Sequence, residues 1–243
     1  MSIKTVLFDL DGTLLPMDHE SFGRLYFGTI ARYFAPHGYD PGQLIGAISD
    51  GIVAMVTNDG AVTNEQACWN MMCKRLGERI YRDVDVFEKY YATEFEKTRA
   101  VCATSPHADK VIKGLRARGY RTVLATNPMF PSTATEQRIK WAGLSPEDFE
   151  LYTTYEDFHY TKPNPKYYLE IMDRLSLKPE ECLMVGNDVD EDMIAERLGM
   201  KVYLVTDCLL NKKNTDVSVY RQGALSDLAT VVEKGNSLDE ICR

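Results

Sequence analysis

Thr5-Val6-Leu7-Phe8-Asp9-Leu10-Asp11-Gly12-Thr13 carries an apolar run straight into two carboxylates and a glycine. Thr5 to Phe8 is β-branched and aromatic, the composition of a short buried strand in a parallel sheet. Such sheets keep their chemistry at the carboxyl edge of the strands. Side chains two apart on an extended segment point the same way, so Asp9 and Asp11 face one site while Leu10 turns to the core. Gly12 allows a sharp turn, and Thr13 can hydrogen-bond it. Two neighbouring carboxylates suit a hard divalent cation such as Mg²⁺, which takes oxygen ligands and keeps positions for water or substrate phosphate. A bare Asp-Gly after a strand would equally be a hairpin turn. The longer pattern Asp-x-Asp-Gly-Thr, together with partners further along, favours a site.

Downstream of this strand the pattern changes period. Apolar residues recur at helical spacing over about residues 18–35, 41–57, 64–76 and 84–99, and no strand pattern interrupts them. Thr63 is placed to cap the third of these helices and Gly77 to stop it. After Pro106 helix and strand alternate. Helices are expected near 107–118, 132–142, 165–175, 190–198 and 226–234, and strands near 120–125, 149–153, 181–185 and 201–205, with 211–223 a polar loop. The expected fold is therefore α/β, a doubly wound parallel sheet of Rossmann-like type. The first strand belongs to the same sheet. Residues 1–16 and 100–243 are expected to form the α/β core, and 17–99 an inserted all-helical cap.

The composition narrows the function. The 243 residues carry a net charge of −8, which argues against a nucleic-acid footprint or an anionic membrane partner. A small anionic substrate stays compatible, because a bound metal and one lysine can invert the local field. No apolar stretch approaches a membrane span and the N-terminal residues lack a signal pattern, so a cytoplasmic location is expected. The six cysteines include no Cys-x-x-Cys pair and no histidine at zinc spacing, and read as reduced thiols. His19, His37, His107 and His159 lack paired spacing; His19 lies at the entrance to the helical stretch.

Polar groups follow several of the expected strands and could converge on one crevice. Asp9 and Asp11 follow the first, Thr126 and Asn127 the second. Gly186-Asn187-Asp188-Val189-Asp190-Glu191-Asp192 follows a later one, and Lys162-Pro163 precedes a helix. This ordered set resembles the haloacid dehalogenase-like superfamily, with Asp9 to Thr13 as its first motif, Thr126 its second, Lys162 its third and the acidic run its fourth. The helical block resembles the cap that this family inserts after the first motif. About 35 residues separate Thr126 from Lys162, too few for the large α/β cap of other members.

The resemblance implies a Mg²⁺-dependent phosphohydrolase of a small phosphorylated metabolite, working through an aspartyl-phosphate. In that pattern Asp9 is the nucleophile and Asp11 the acid and base. Thr126, Asn127 and Lys162 bind the phosphate. The metal falls to Asp9, Asp11 (through its backbone carbonyl), Asp188 and Asp192, the last directly or through water. Asn187 departs from the usual fourth motif, and two registers fit: Asp188 as ligand, or Asn187 at the acidic position with Asp192 compensating. The spacing Asp-x-x-x-Asp and the preference of Mg²⁺ for carboxylate favour Asp188. The family's dehalogenases and phosphonate-cleaving members lack an acid in the position of Asp11. A phosphoglucomutase-like phosphotransferase and a non-catalytic phosphate-binding member are the remaining alternatives.

Overall fold

The computed structural model describes residues 2–241. Its centre is a parallel sheet of six strands: β1 (Thr5–Phe8), β2 (Arg121–Leu124), β3 (Leu151–Tyr152), β4 (Cys182–Gly186), β5 (Lys201–Val205) and β6 (Gln222–Gly223). The spatial order β3-β2-β1-β4-β5-β6 reverses direction between β1 and β4. In open α/β sheets the crevice at such a reversal is where ligands bind. Asp9 and Asp188 follow these two strands.

Successive strand residues alternate between two apolar clusters, as the period of two requires. Val6 and Phe8, Leu183 and Val185, and Tyr203 and Val205 join one cluster; Leu7, Cys182 and Met184, and Val202 and Leu204 join the other. On the first face pack α6 (Ala108–Ala117), α7 (Ser132–Trp141) and α9 (Leu225–Glu233), through residues such as Ile112, Ile139 and Leu228. The second face is covered by α8 (Pro165–Leu175), with Tyr167 and Ile171, and by the turn holding Met193 and Ala195. The sheet is thus doubly wound. A last short helix, α10 (Leu238–Ile241), sets Leu238 against the first cluster.

Between β1 and β2 the chain is helical: α1 (His19–Phe34), α2 (Pro41–Val56), α3 (Asn64–Leu76), α4 (Arg79–Arg82) and α5 (Val84–Thr93). Local chemistry sets the boundaries. Asp18 accepts the Ser21 N–H at 2.7 Å, Asp40 accepts that of Gln43 at 2.8 Å, and Thr63 and Gln66 form a reciprocal capping box. Gly77, at φ 80°, ends α3. Phe22, Tyr26 and Phe95 of this stretch surround Phe130, in the loop after β2, with ring centroids 5.3 to 6.2 Å apart. The helical stretch and one sheet face therefore share a single apolar cluster.

Four expectations need correction. The continuous helix near 84–99 is instead α5 followed by 3₁₀ turns over Phe95–Val101; the tighter three-residue repeat buries Phe95 and Thr98 together. The helix expected at 190–198 begins only at Met193, as 3₁₀ turns, because Asp188 Oδ1 first accepts the N–H groups of Asp190 and Glu191. The segment 211–223 is not all loop, since Gln222–Gly223 pairs with β5. The strand near 149–153 shrinks to two residues. Cys68, Cys73, Cys102, Cys182 and Cys208 are free thiols, and Cys242 lies outside the described residues. No helix among the described residues is long and apolar enough to cross a membrane.

Candidate active site

All six strands run parallel, so their carboxyl ends share one edge. β1 hands over to Asp9, whose N–H bonds Val185 O at 2.9 Å and ties it to β4. The chain then folds tightly: the N–H groups of Thr13 and Leu15 both bond Leu10 O, at 3.1 and 2.8 Å, and Gly12 N bonds Leu15 O at 2.8 Å. Gly12 sits at φ 90°, and a Cβ there would collide with the Asn187 amide. Leu10 is fully buried, as the alternation requires.

Asp9, Asp11, Thr126, Asn127, Asp188 and Asp192 line one pocket of about 240 Å³, together with His19, Glu191 and Lys212. Lys162 lies at its base, 1% exposed. Its Nζ donates to Asp9 Oδ1 at 2.8 Å and to Asp192 Oδ1 at 2.6 Å. Burial alone would lower the ammonium's pKa; the two carboxylates more than offset it and hold the pKa well above the usual lysine range. Lys162 is thus a fixed cation beside Asp9.

The fourth-motif loop has a clear internal order. Asp192 has both oxygens engaged: Oδ1 by Lys162, and Oδ2 by the Asp188 N–H at 3.0 Å. Gly186 makes this possible, since a Cβ there would strike the Asp192 carboxylate. Asp188 uses Oδ1 for the turn, leaving Oδ2 outside it. Asn187 is held at both ends of its amide, accepting from Thr13 Oγ1 at 2.9 Å and donating to Cys208 O at 2.7 Å. Asn127 likewise bridges loops: it accepts the Lys162 N–H at 3.2 Å and donates to Glu191 Oε2 at 3.0 Å. Burial pushes the Glu191 carboxyl up to about 7. Thr126 is kept in place by its backbone carbonyl, which accepts from the Tyr167 hydroxyl at 2.8 Å and from Thr153.

Glu191 and Lys212 were not expected in the pocket, and neither was the residue that meets Asp11. Arg138 of α7 is 1% exposed, forms an ion pair with Asp11, donates to Thr135 Oγ1 at 3.2 Å and stacks over Phe130 at 4.7 Å. The signal was present in the helix pattern, where an arginine stands on the buried stripe with Ala134, Ile139 and Trp141. A charge on such a stripe needs a partner, and the partner was Asp11. Burial raises the Asp11 carboxyl above its ordinary pKa, against the lowering pull of Arg138. Asp11 Oδ1 is buried and has no hydrogen-bond partner among the described residues.

Comparison with known proteins gives the family. The family model of haloacid dehalogenase-like hydrolases matches residues 3–199. The chain is 24% identical over 240 residues to pyrophosphatase PpaX of Bacillus mycoides (strain KBAB4), covering 97% of this chain and 100% of the relative. It is 25% identical over 211 residues to the putative phosphatase YhcW of Bacillus subtilis (strain 168), covering 84% and 83%. A crystal structure of a HAD phosphatase from Thermococcus onnurineus shares the fold, with a TM-score of 0.60 and 22% identity over 97% of this chain and 100% of that one. The chain belongs to the haloacid dehalogenase-like hydrolases.

Proposed function

We propose that the chain is a Mg²⁺-dependent phosphohydrolase that cleaves small phosphorylated metabolites through an aspartyl-phosphate on Asp9. The observation that carries this reading is the single pocket bounded by Asp9 and Asp11, with the Lys162 ammonium 2.8 Å from the Asp9 carboxylate. The names of the two bacterial relatives, a pyrophosphatase and a putative phosphatase, support the reaction class.

An Asp9 oxygen bonds to phosphorus as the ester P–O bond breaks, and Asp11 in its acid form gives its proton to the departing oxygen. Water then attacks phosphorus, Asp11 takes the proton of that water, and the Asp9–phosphorus bond breaks. Lys162 and Thr126 hold the phosphoryl oxygens and offset their charge. Asn127, engaged at both ends, keeps the Thr126 and Lys162 loops in register.

The residues present fit Mg²⁺. The donors are all oxygen: the carboxylates of Asp9 and Asp188 and the backbone carbonyl of Asp11. Mg²⁺ takes one or two carboxylates and leaves the rest to water and phosphate, which suits this donor set. When bound it would offset the negative charge on Asp9 and the phosphate. Asp192, already committed to Lys162 and the Asp188 backbone, supports this set from behind.

A phosphate-release assay over a panel of phosphorylated metabolites tests the reading. Release should require Mg²⁺, stop with chelator and vanish in Asp9→Asn. Release unchanged in Asp9→Asn would contradict it. An isomerised sugar phosphate without free phosphate would point to a phosphotransferase.

A further inference from the structure

Behind the loop wall formed by Met129 and Phe130 lies a second cavity, of about 70 Å³. The same two residues border the phosphate pocket. Side chains of α1, α2, α3 and α5 line the chamber, together with Tyr155. None of its lining residues carries a charge. The hydroxyls of Tyr26 and Tyr91 satisfy each other at 2.8 Å, and the Cys68 thiol faces Met72 sulfur at 3.8 Å. A polyhydroxylated or doubly phosphorylated leaving group would find almost no unspent partner there, and its desolvation would go uncompensated.

We propose that this chamber receives an apolar portion of the substrate, so that the phosphate ester cleaved is one whose alcohol carries an aliphatic or aromatic group. The proposal deepens the phosphatase reading and rests on it. Two features carry it. The shared wall puts apolar space directly beside the phosphate pocket. Met55, Met72 and Met129 line the chamber, and unbranched thioether side chains repack around ligands more readily than branched ones. At about 70 Å³ the space is roughly half of the ~150 Å³ apolar cavity known to hold benzene. The volume accommodates a short alkyl group, and entry from the phosphate pocket requires the Met129 and Phe130 side chains to part; a ring requires the methionines to shift as well.

The test uses the full chain with Mg²⁺ and a series of primary alkyl phosphates of matched leaving-group acidity: ethyl, propyl, butyl and 2-phenylethyl. Glycerol 1-phosphate serves as the polar counterpart of propyl phosphate, with pyrophosphate and acetyl phosphate as references. The expected result is a rise in kcat/KM of about fourfold per added methylene that the chamber buries, with propyl phosphate ahead of glycerol phosphate. Ile52→Phe, which adds bulk to the chamber lining, should pull butyl phosphate back toward ethyl phosphate. Butylphosphonate should change Trp69 fluorescence in wild type more than methylphosphonate does, an assay that needs no turnover and stands if the variant fails to fold.

Acetyl phosphate hydrolysis with a flat alkyl series, or preference for pyrophosphate or glycerol phosphate, would overturn the chamber and leave the phosphatase reading intact. No hydrolysis of any compound would count against the phosphatase reading; the fluorescence titration would then decide the chamber, and equal responses to the two phosphonates would overturn it.

Discussion

Arg138 and Asp11, 127 positions apart in sequence, form an ion pair in which the arginine side chain is 1% exposed and the aspartate 21%. The pair joins α7 to the tight turn after β1. A buried guanidinium is costly unless its hydrogen bonds are met, and here Thr135, the Ala134 carbonyl and the Phe130 ring complete its surroundings. The pair therefore fixes where the Asp11 side chain sits.

Removing the cation should strand the carboxylate. Arg138→Met is expected to destabilise the fold by about 1–3 kcal/mol, the usual range for leaving one buried partner unsatisfied. Adding Asp11→Asn should recover part of that loss, because the uncompensated charge goes with it. Urea denaturation of the four proteins in this cycle gives the coupling. Strict additivity would mean that the two side chains do not interact energetically.

Mg²⁺ should stabilise the protein without any turnover. At ten times its dissociation constant, a ligand bound only by the native state adds about 1.4 kcal/mol. For a chain of this size that is a rise in Tm of a few degrees after chelator treatment. Asp188→Asn should lose most of the shift. Asn187→Ala should lower the baseline Tm, since it breaks contacts to Thr13 and Cys208, yet keep the shift. The reverse order would move the metal ligand to the Asn187 register.

The helical stretch is expected to move as a lid over the pocket, flexing at its two crossings, about 14–16 and 100–106. These crossings run side by side, with Ala103 N bonded to Pro16 O at 2.8 Å. The present position is latched by α3, whose first two N–H groups bond Phe158 O and Tyr155 O at 2.8 Å each. The fully buried Asn64 side chain adds a bond to Pro128 O at 3.3 Å. Asn64→Ala should speed hydrogen exchange at both crossings several-fold, and vanadate with Mg²⁺ should reverse the gain. Unchanged exchange at both crossings, with vanadate shown to be bound, would mean a fixed cap.

Local pattern carried most of the fold. β1, β4 and β5 were legible because, Lys201 apart, every residue of these strands is apolar, aromatic or small, and α3 because Thr63 and Gly77 mark its two ends. β6 was not, since Gln222 and Gly223 have no pattern of their own and become a strand only by pairing with Leu204 and Val205. The switch from α to 3₁₀ at Phe95 was hidden for a related reason: the packing of Phe95 against Phe130 and Trp141 decides it. At the site, Asp9, Asp11, Thr126 and Asp188 each follow a strand end, where position alone signals chemistry, and Lys162 stands just before α8. The partners they choose did not show. Arg138 reaches Asp11, and Asp192 turns to Lys162, through contacts between elements far apart in sequence.

The central claim is that Asp9 carries the phosphoryl group and Asp11 moves the protons. It is tested most directly by rapid-quench and intact-mass measurement on Asp11→Asn. General acid help is worth about 10²–10⁴-fold, so this variant should slow alkyl phosphates by that order and acetyl phosphate, whose leaving group needs no proton, by much less. Because breakdown of the intermediate also needs a base, a phosphoryl group should accumulate during acetyl phosphate turnover and map to Asp9. Equal slowing of both substrate types with no phosphorylated protein at any quench time would contradict the account.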